Sequence, residues 1–244
     1  MKKIILFLTV LLFLTGCNST KSAAKPTTKN VLVFTKTMGW RHQSIEKGVA
    51  TLKEFGAEQG WKVMQSEDSL IMNNSNLKNI DLVVFLSTTG NILGSDQEEA
   101  FKKYIQNGGA FMGIHAATDT EFDWPWYGEF IGGYFESHPN NPNVREVGLT
   151  KAEPHVTTSM CPKTFKRTDE WYNYYNLSES IIPTLFLDET TYEGGTNGDY
   201  HPIAWYQDYD GGRMYYTGGG HTKEAYDDPI FRAHLKSVMR WLLE

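Results

Sequence analysis

Asn30-Val31-Leu32-Val33-Phe34-Thr35 is an unbroken apolar run, and that feature restricts the fold more than any other. A strand with one wet face alternates polar and apolar residues. A run without alternation belongs to a parallel strand covered on both faces, which in turn requires crossover helices. The following segments supply them. From Gln43 onward Ile45, Val49, Leu52 and Phe55 recur at helical spacing, with Gly56 and Gly60 near the end of the helix. Trp61 to Ser66 reads as a second strand and Asp81 to Ser87 as a third. Ser95-Asp96 is then expected to cap a helix through Ala100, Phe101 and Tyr104, and Ala110 to Ile114 is the fourth strand. This βαβ order predicts an α/β open parallel sheet with right-handed crossovers.

The fourth strand ends in Gly108-Gly109-Ala110-Phe111-Met112-Gly113-Ile114-His115-Ala116-Ala117, an apolar strand followed by a tight turn with an imidazole at its tip. Ligands of doubly wound sheets collect at the carboxyl ends of the strands. A serine or cysteine at such an elbow would read as a nucleophile; His115 instead implies imidazole chemistry, metal binding or substrate contact.

The first residues direct the chain to the cell envelope. Met1-Lys2-Lys3 is a basic start, Ile4 to Thr15 is an apolar stretch short for a bilayer span, and Leu14-Thr15-Gly16-Cys17 has the pattern of a lipoprotein cleavage site. Residues 1–16 are therefore expected to be a signal peptide, with Cys17 lipidated and residues 17–29 a flexible tether. The folded domain is expected over residues 30–244, anchored to a bacterial membrane and facing the periplasm or the exterior. Cys161 is then the one cysteine left in the domain, so packing and not an internal disulfide must hold the core. Roughly 210 residues are ample for one sheet covered by helices. The formal charge of −6 becomes more acidic once Lys2 and Lys3 are removed, and no basic patch suited to nucleic acid is present.

Beyond residue 117 the pattern is less regular. Glu129 to Pro154 reads as loop-rich, and strands are expected at Val144 to Leu149, Pro183 to Asp188, His201 to Gln207 and Gly212 to Thr217, as an antiparallel or mixed extension. Tyr209-Asp210-Gly211-Gly212 is a hairpin signal. Pro229 to Leu243 is a closing helix with Phe231, Leu235, Val238 and Leu242 on one stripe. Trp124, Trp126, Tyr127, Trp171, Tyr172, Tyr174, Tyr175 and Trp205 cluster in this part. Such rings serve as core, or as platforms for the apolar face of a sugar.

Of seven histidines, His42, His115 and His221 each follow a predicted parallel strand, which would point three imidazoles into one crevice. That arrangement suits Zn²⁺ or another first-row divalent metal, with Glu170 as a further ligand. No H-x-x-x-H or H-E-x-x-H pair occurs. Glu170, among aromatic residues in Asp169-Glu170-Trp171-Tyr172, is expected to have a raised pKa suited to a general base; the bland alternative is a surface charge pair. His138 and His155 read as loop residues, His201-Pro202 as the start of an edge strand, and His234 as a helix-surface residue.

Six blocks carry a family resemblance: Arg41-His42-Gln43-Ser44-Ile45, the Gly108 to Ala117 run, Gly132-Gly133-Tyr134-Phe135-Glu136-Ser137-His138-Pro139, Asp169 to Tyr172, His201-Pro202-Ile203-Ala204-Trp205, and Gly212 to His221. In this order they resemble the ThuA-like, or trehalose utilisation, family across essentially the whole mature domain. The chain departs from it at His155-Val156, where the family often has His-Pro, and in the three glycines before His221. The resemblance implies a flavodoxin-like sheet similar to class I glutamine amidotransferases, mostly parallel with an antiparallel extension and helices on both faces. His115 stands where those enzymes carry their cysteine, which argues against amidotransferase chemistry.

The resemblance further implies a small-molecule carbohydrate as ligand, a disaccharide or glycoside oxidised at C3. A 3-keto group acidifies the C2 proton, so the expected reaction is elimination, isomerisation or hydrolysis. His115 and His221 would polarise the carbonyl with His42 beside them, and Glu170 or His138 would be the base. Trp40, Arg41, Trp124, Trp171, Tyr172, His201 and Trp205 are the candidate substrate contacts, and no nucleotide cofactor is expected. Two other classes fit the sequence: a non-catalytic sugar-binding lipoprotein, and an amidotransferase-like scaffold that docks another protein. A two-carboxylate glycosidase is disfavoured, because the strand ends carry histidines.

Overall fold

The computed structural model describes residues 28–244; the signal segment, Cys17 and most of the tether lie outside the described residues. The chain forms β1 (Asn30–Phe34), α1 (Ile45–Gln59), β2 (Lys62–Ser66), α2 (Asn74–Leu77), β3 (Leu82–Leu86), α3 (Ser95–Gln106) and β4 (Ala110–Ile114). There follow α4 (Pro125–Ile131), β5 (Tyr134–Ser137), β6 (Val144–Lys151), β7 (Thr164–Glu170) and β8 (Asn173–Tyr175). The last elements are β9 (Ile182–Asp188), β10 (Pro202–Tyr209), β11 (Gly212–Thr217) and α5 (Pro229–Leu243).

Among the described residues nine strands make one sheet in the order β2-β1-β3-β4-β11-β10-β9-β6-β7. The first five are parallel and the others continue the sheet antiparallel. With β11 counted as the fifth parallel strand this is the flavodoxin order, whose ligands bind beyond the carboxyl ends. β5 and β8 form a separate ribbon.

Consecutive residues of β3 show why the runs are apolar throughout. Phe85 packs on Phe101 of α3, with ring centres 5.4 Å apart, whereas Leu86 lies against Gly48 of α1, where an added Cβ would come within 2.9 Å of it. The two helices thus cover opposite faces. α4 shares the α3 face through Phe130 on Phe111, and α5 joins α1 through Arg232 and Glu54. β1, β3 and β4 are buried along nearly their whole length, as both-face coverage demands.

Several boundaries differ from the sequence expectation. The N-cap of α3 is Gly94, not Ser95: Gln97 Oε1 reaches back to accept from the Gly94 amide at 3.2 Å. The stretch expected to be loop-rich contains the end of α4 and all of β5, and β6 runs to Lys151, past the Leu149 end expected for that strand. β10 is an interior strand between β11 and β9, so His201 does not open an edge. The hairpin is as read, with Asp210 and Gly211 at φ of 49° and 96° between paired Tyr209 and Gly212. His234 is buried on α5, its Nδ1 3.0 Å from the Thr157 carbonyl, and burial lowers its pKa to about 4.

Candidate functional site

At the carboxyl edge of the parallel strands, the loops after β1, β4 and β11 carry His42, His115 and His221. His115 is the sharpest case. Its φ of 52° puts a non-glycine residue in the left-handed region directly after β4, a conformation tolerated when the surroundings over-determine it. They do: Tyr216 Oη donates to the His115 carbonyl at 2.8 Å, and Tyr216 is itself within hydrogen-bond distance of Thr118 and Tyr174. The ring is fixed as well. Its Nδ1 lies 3.0 Å from the Gly218 carbonyl, which only accepts, so Nδ1 carries the proton and the Nε2 lone pair points into the site.

From there the geometry closes quickly. His115 Nε2 is 3.2 Å from His42 Nε2 and 3.2 Å from His221 Nδ1. Glu170, the last residue of β7, places Oε2 at 2.9 Å from His221 Nδ1 and 3.5 Å from His115 Nε2. One ligand atom from each of the four lies within 4.8 Å of every other. Four donors bound tetrahedrally at the usual ~2.0–2.1 Å stand about 3.3 Å apart, close to these separations. Three imidazole nitrogens and one carboxylate oxygen are a set that could hold a first-row divalent ion, and the fixed tautomer of His115 is compatible with that.

The loops are tied to one another. Ser44 Oγ donates to the Gly220 carbonyl at 2.8 Å, binding the His42 loop to the His221 turn. Asp169 is fully buried and accepts from the amides of Gly220, His221 and Thr222 at 2.7, 3.1 and 3.3 Å, and from Arg167 at 3.2 Å. The glycines are required here: a Cβ on Gly218 would sit 2.4 Å from Ile203, and one on Gly219 2.9 Å from Arg167. Asp169 therefore positions His221 while its neighbour Glu170 faces the imidazoles. The pair is buried, and the surface-charge alternative is withdrawn.

The electrostatics correct the expectation for Glu170. Burial acts to raise its pKa, but the adjoining His115 and His221 rings outweigh burial and hold it well below the usual carboxylate range. A carboxylate held low in this way is a weak proton acceptor. Burial, reinforced by His115 and His221, lowers His42 to about 2, so this ring stays neutral. Neutral imidazole is the form that binds metal.

The cluster opens into a cavity of about 370 Å³ lined by Trp40, His42, Asp119, Phe135, His138, Asn143, Glu170, Tyr172 and His221. Trp40 stands at its rim, 70% exposed. His138 Nε2 is 3.6 Å from Glu170 Oε1, and Asn143 donates to that oxygen at 2.8 Å. Tyr172 lies against the His115 ring, with centres 4.4 Å apart. Neither Asp119 nor Asn143 was singled out from the sequence. Asp119 follows His115 by four residues, a spacing that carries no recognisable motif.

Other expected contacts lie elsewhere. Trp205 is fully buried with its indole nitrogen on the Ile131 carbonyl, and Trp171 is buried with its nitrogen on that of Arg145, so neither ring has a free face for a sugar. Trp124 stacks on Trp126, which bonds Asp210 in the hairpin at the opposite end of β11. Arg41 is occupied by Glu46 and Glu67. His201 is buried with Nδ1 2.7 Å from Glu189 and Nε2 2.8 Å from the Tyr172 carbonyl; it supports the cavity wall from behind. His155 packs on Tyr206 and Trp241, away from the cluster.

A sequence family described as trehalose utilisation, ThuA, matches residues 30–242. This chain belongs to the ThuA family. Membership supports a carbohydrate-related role in general terms. The ThuA fold is also found in a ThuA-like protein from Bacteroides uniformis, 24% identical, covering 91% of this chain and 94% of that one with a TM-score of 0.76. A ThuA-like protein from Parabacteroides merdae is 18% identical over 89% and 90% of the two chains, with a TM-score of 0.74. A GMP synthase subunit from Thermoplasma acidophilum aligns at a TM-score of 0.54 and 14% identity over 88% and 96% of the chains. No curated protein matches the chain. Ahead of the ThuA domain, residues 1–18 match a prokaryotic membrane lipoprotein lipid attachment site, which supports a lipid-anchored envelope protein. No helix among the described residues is long and apolar enough to cross a membrane.

Proposed function

We propose that this ThuA-family protein is a carbohydrate-processing enzyme acting on a 3-keto disaccharide or glycoside, at a site where His42, His115, His221 and Glu170 hold a first-row divalent ion. The convergence of three imidazoles and a carboxylate at the head of one cavity carries the reading. Such an ion, when bound, supplies Lewis acidity to a carbonyl oxygen. The residues do the rest: His115 presents its Nε2 lone pair from a fixed ring, His221 stands beside it on the turn that Asp169 holds, Glu170 balances charge, and Trp40, Phe135 and Tyr172 offer apolar surface to a pyranose. His138, Asn143 and Asp119 line the remaining wall. Anchored through lipid on Cys17, the domain faces the periplasm or the exterior.

A purely sugar-binding role is less well supported. It leans on tryptophan platforms, and Trp171 and Trp205 are committed to the core. Four titratable groups crowded within 4.8 Å are an expensive way to supply hydrogen bonds to a neutral ligand.

The test is elemental analysis of the protein purified without a histidine tag, followed by incubation with a 3-keto glycoside. Near-stoichiometric Zn, Mn, Ni or Fe, absent in a folded His115→Ala variant, together with turnover of the keto sugar, is the expected result. A protein that takes up no metal and leaves the keto sugar intact would overturn the reading.

A further inference from the structure

Glu170 and His138 were the two bases that the sequence suggested, and the geometry removes the first. Glu170 is bound into the imidazole cluster and bonded by Asn143. His138 is partly committed: its Nδ1 is 3.0 Å from the Pro139 carbonyl, which requires the proton on Nδ1, while Nε2 is turned to Glu170. A proton acceptor free of such ties is needed in the same cavity.

Asp119 meets that description. It caps the short turn Ala116 to Thr118 that begins at His115, and its backbone is pinned on both sides: its amide donates to the Ala116 carbonyl at 2.8 Å and its carbonyl accepts from Gly90 at 2.8 Å. The side chain is half-buried and lines the cavity with Glu170, Tyr172 and His221. Among the described residues, no donor binds its carboxylate. A rigidly mounted carboxyl without a structural partner, facing the candidate metal cluster, has no evident packing role. Taking for granted the keto-sugar reading above, we propose that Asp119 is the catalytic base of this site: it takes the proton from the carbon beside the substrate's carbonyl.

The step balances within the substrate. The C2–H bond breaks and its proton passes to Asp119, while the electron pair is taken up by the C3 carbonyl. When that pair returns, a C1–C2 double bond forms, the C1–O glycosidic bond breaks, and the departing oxygen receives the proton from Asp119. An unsaturated keto sugar and an alcohol result, with no outside acid, base or oxidant consumed. Burial raises the Asp119 carboxyl to about 6, matched to proton transfer near neutral pH. The other titratable groups facing the same cavity are His42, His138, Glu170, Tyr172 and His221.

The experiment uses the full-length protein and a 3-keto glucoside in D₂O, with NMR following deuterium entry at C2 of the unreacted sugar and formation of the unsaturated product, and binding of the sugar measured separately by calorimetry. Asp119→Asn should bind the sugar within a few-fold of wild type, yet lose about 100-fold or more of the exchange. Asp119→Glu should restore part of it. Asp119→Ser replaces the amide variant if that one melts early. Wild-type exchange that persists in Asp119→Asn, or that vanishes instead in His138→Gln, overturns the assignment of Asp119. Absence of both binding and exchange in the wild type would defeat the keto-sugar reading and this assignment together.

Discussion

His115 Nδ1 lies 3.0 Å from the Gly218 carbonyl oxygen, and that hydrogen bond joins the ends of β4 and β11 while deciding which imidazole nitrogen faces the site. A Cβ on Gly218 would come 2.4 Å from Ile203 and 2.6 Å from Tyr174. Gly218→Ala should therefore cost about 1–3 kcal/mol of stability by overpacking. It should also weaken metal affinity about 10–100-fold, as loss of a ligand-orienting partner does. Denaturant titration and metal-competition titration of the same variant measure the two effects; unchanged metal affinity would show that the carbonyl does not orient the ring.

Asp169 is expected to matter more to the fold than its neighbour. Asp169→Asn leaves Arg167 buried with a weakened partner and loosens the turn that carries His221. Breaking a buried pair from one side costs about 3–5 kcal/mol. Adding Arg167→Met should recover part of that loss while leaving His221 poorly positioned, so melting temperature and metal content should separate in the double variant. If both recover together, Asp169 acts on the site through stability alone.

Acid should destabilise the domain before it titrates ordinary carboxylates. His234 binds protons near 6.5 when unfolded but only near 4 when folded, because burial disfavours its charged form. The unfolded state then holds more protons between these values, so stability is complete above about pH 6.5 and falls as pH drops toward 4. His42, lowered to about 2 by burial and by His115 and His221, adds to the same trend. Unfolding free energy measured from pH 7.5 to 4.5 should decline, and His234→Asn, which cannot take up the proton, should flatten the slope. A slope identical to wild type would mean that His234 titrates normally.

The two kinds of tryptophan should behave oppositely. Trp40→Ala removes a ring that is 70% exposed at the cavity rim, so stability should move by no more than about 0.5 kcal/mol while sugar binding weakens several-fold. Trp205→Ala opens a void in the core and should cost about 3–5 kcal/mol. Calorimetric binding and thermal melting of both variants check the contrast. Undiminished sugar binding by Trp40→Ala would remove that ring from the site.

What the sequence made legible follows from the physics of each element. β1, β3 and β4 are buried on both faces and so are apolar throughout, and the glycines after β11 marked the turn that carries His221, while His115 was marked by standing directly at the end of an apolar strand. β7 was missed because Thr164-Phe165-Lys166-Arg167-Thr168-Asp169-Glu170 buries charge instead of hydrocarbon: Arg167, Asp169 and Glu170 are its interior residues. His234 was misplaced although its position held the signal. It stands three residues after Phe231 and four before Val238, on the very stripe that faces inward. Asp119 and Asn143 were invisible for a different reason. Their role comes from where separate loops meet, and no spacing along the chain encodes it.

β11 lies at the centre of the sheet although it is the last strand made. Its partner β4 ended about a hundred residues earlier, and His115 and Gly218 are 103 positions apart. Until β11 inserts, the parallel and antiparallel halves have no common seam, His42 and His115 have no third imidazole, and Asp169 has no turn to hold. The donor set thus exists only where β4, β7 and β11 are joined in one sheet. A ligand of this site can recognise only the finished molecule, so its binding free energy goes entirely to the native state, and occupancy becomes a direct readout of how much of the protein has finished folding.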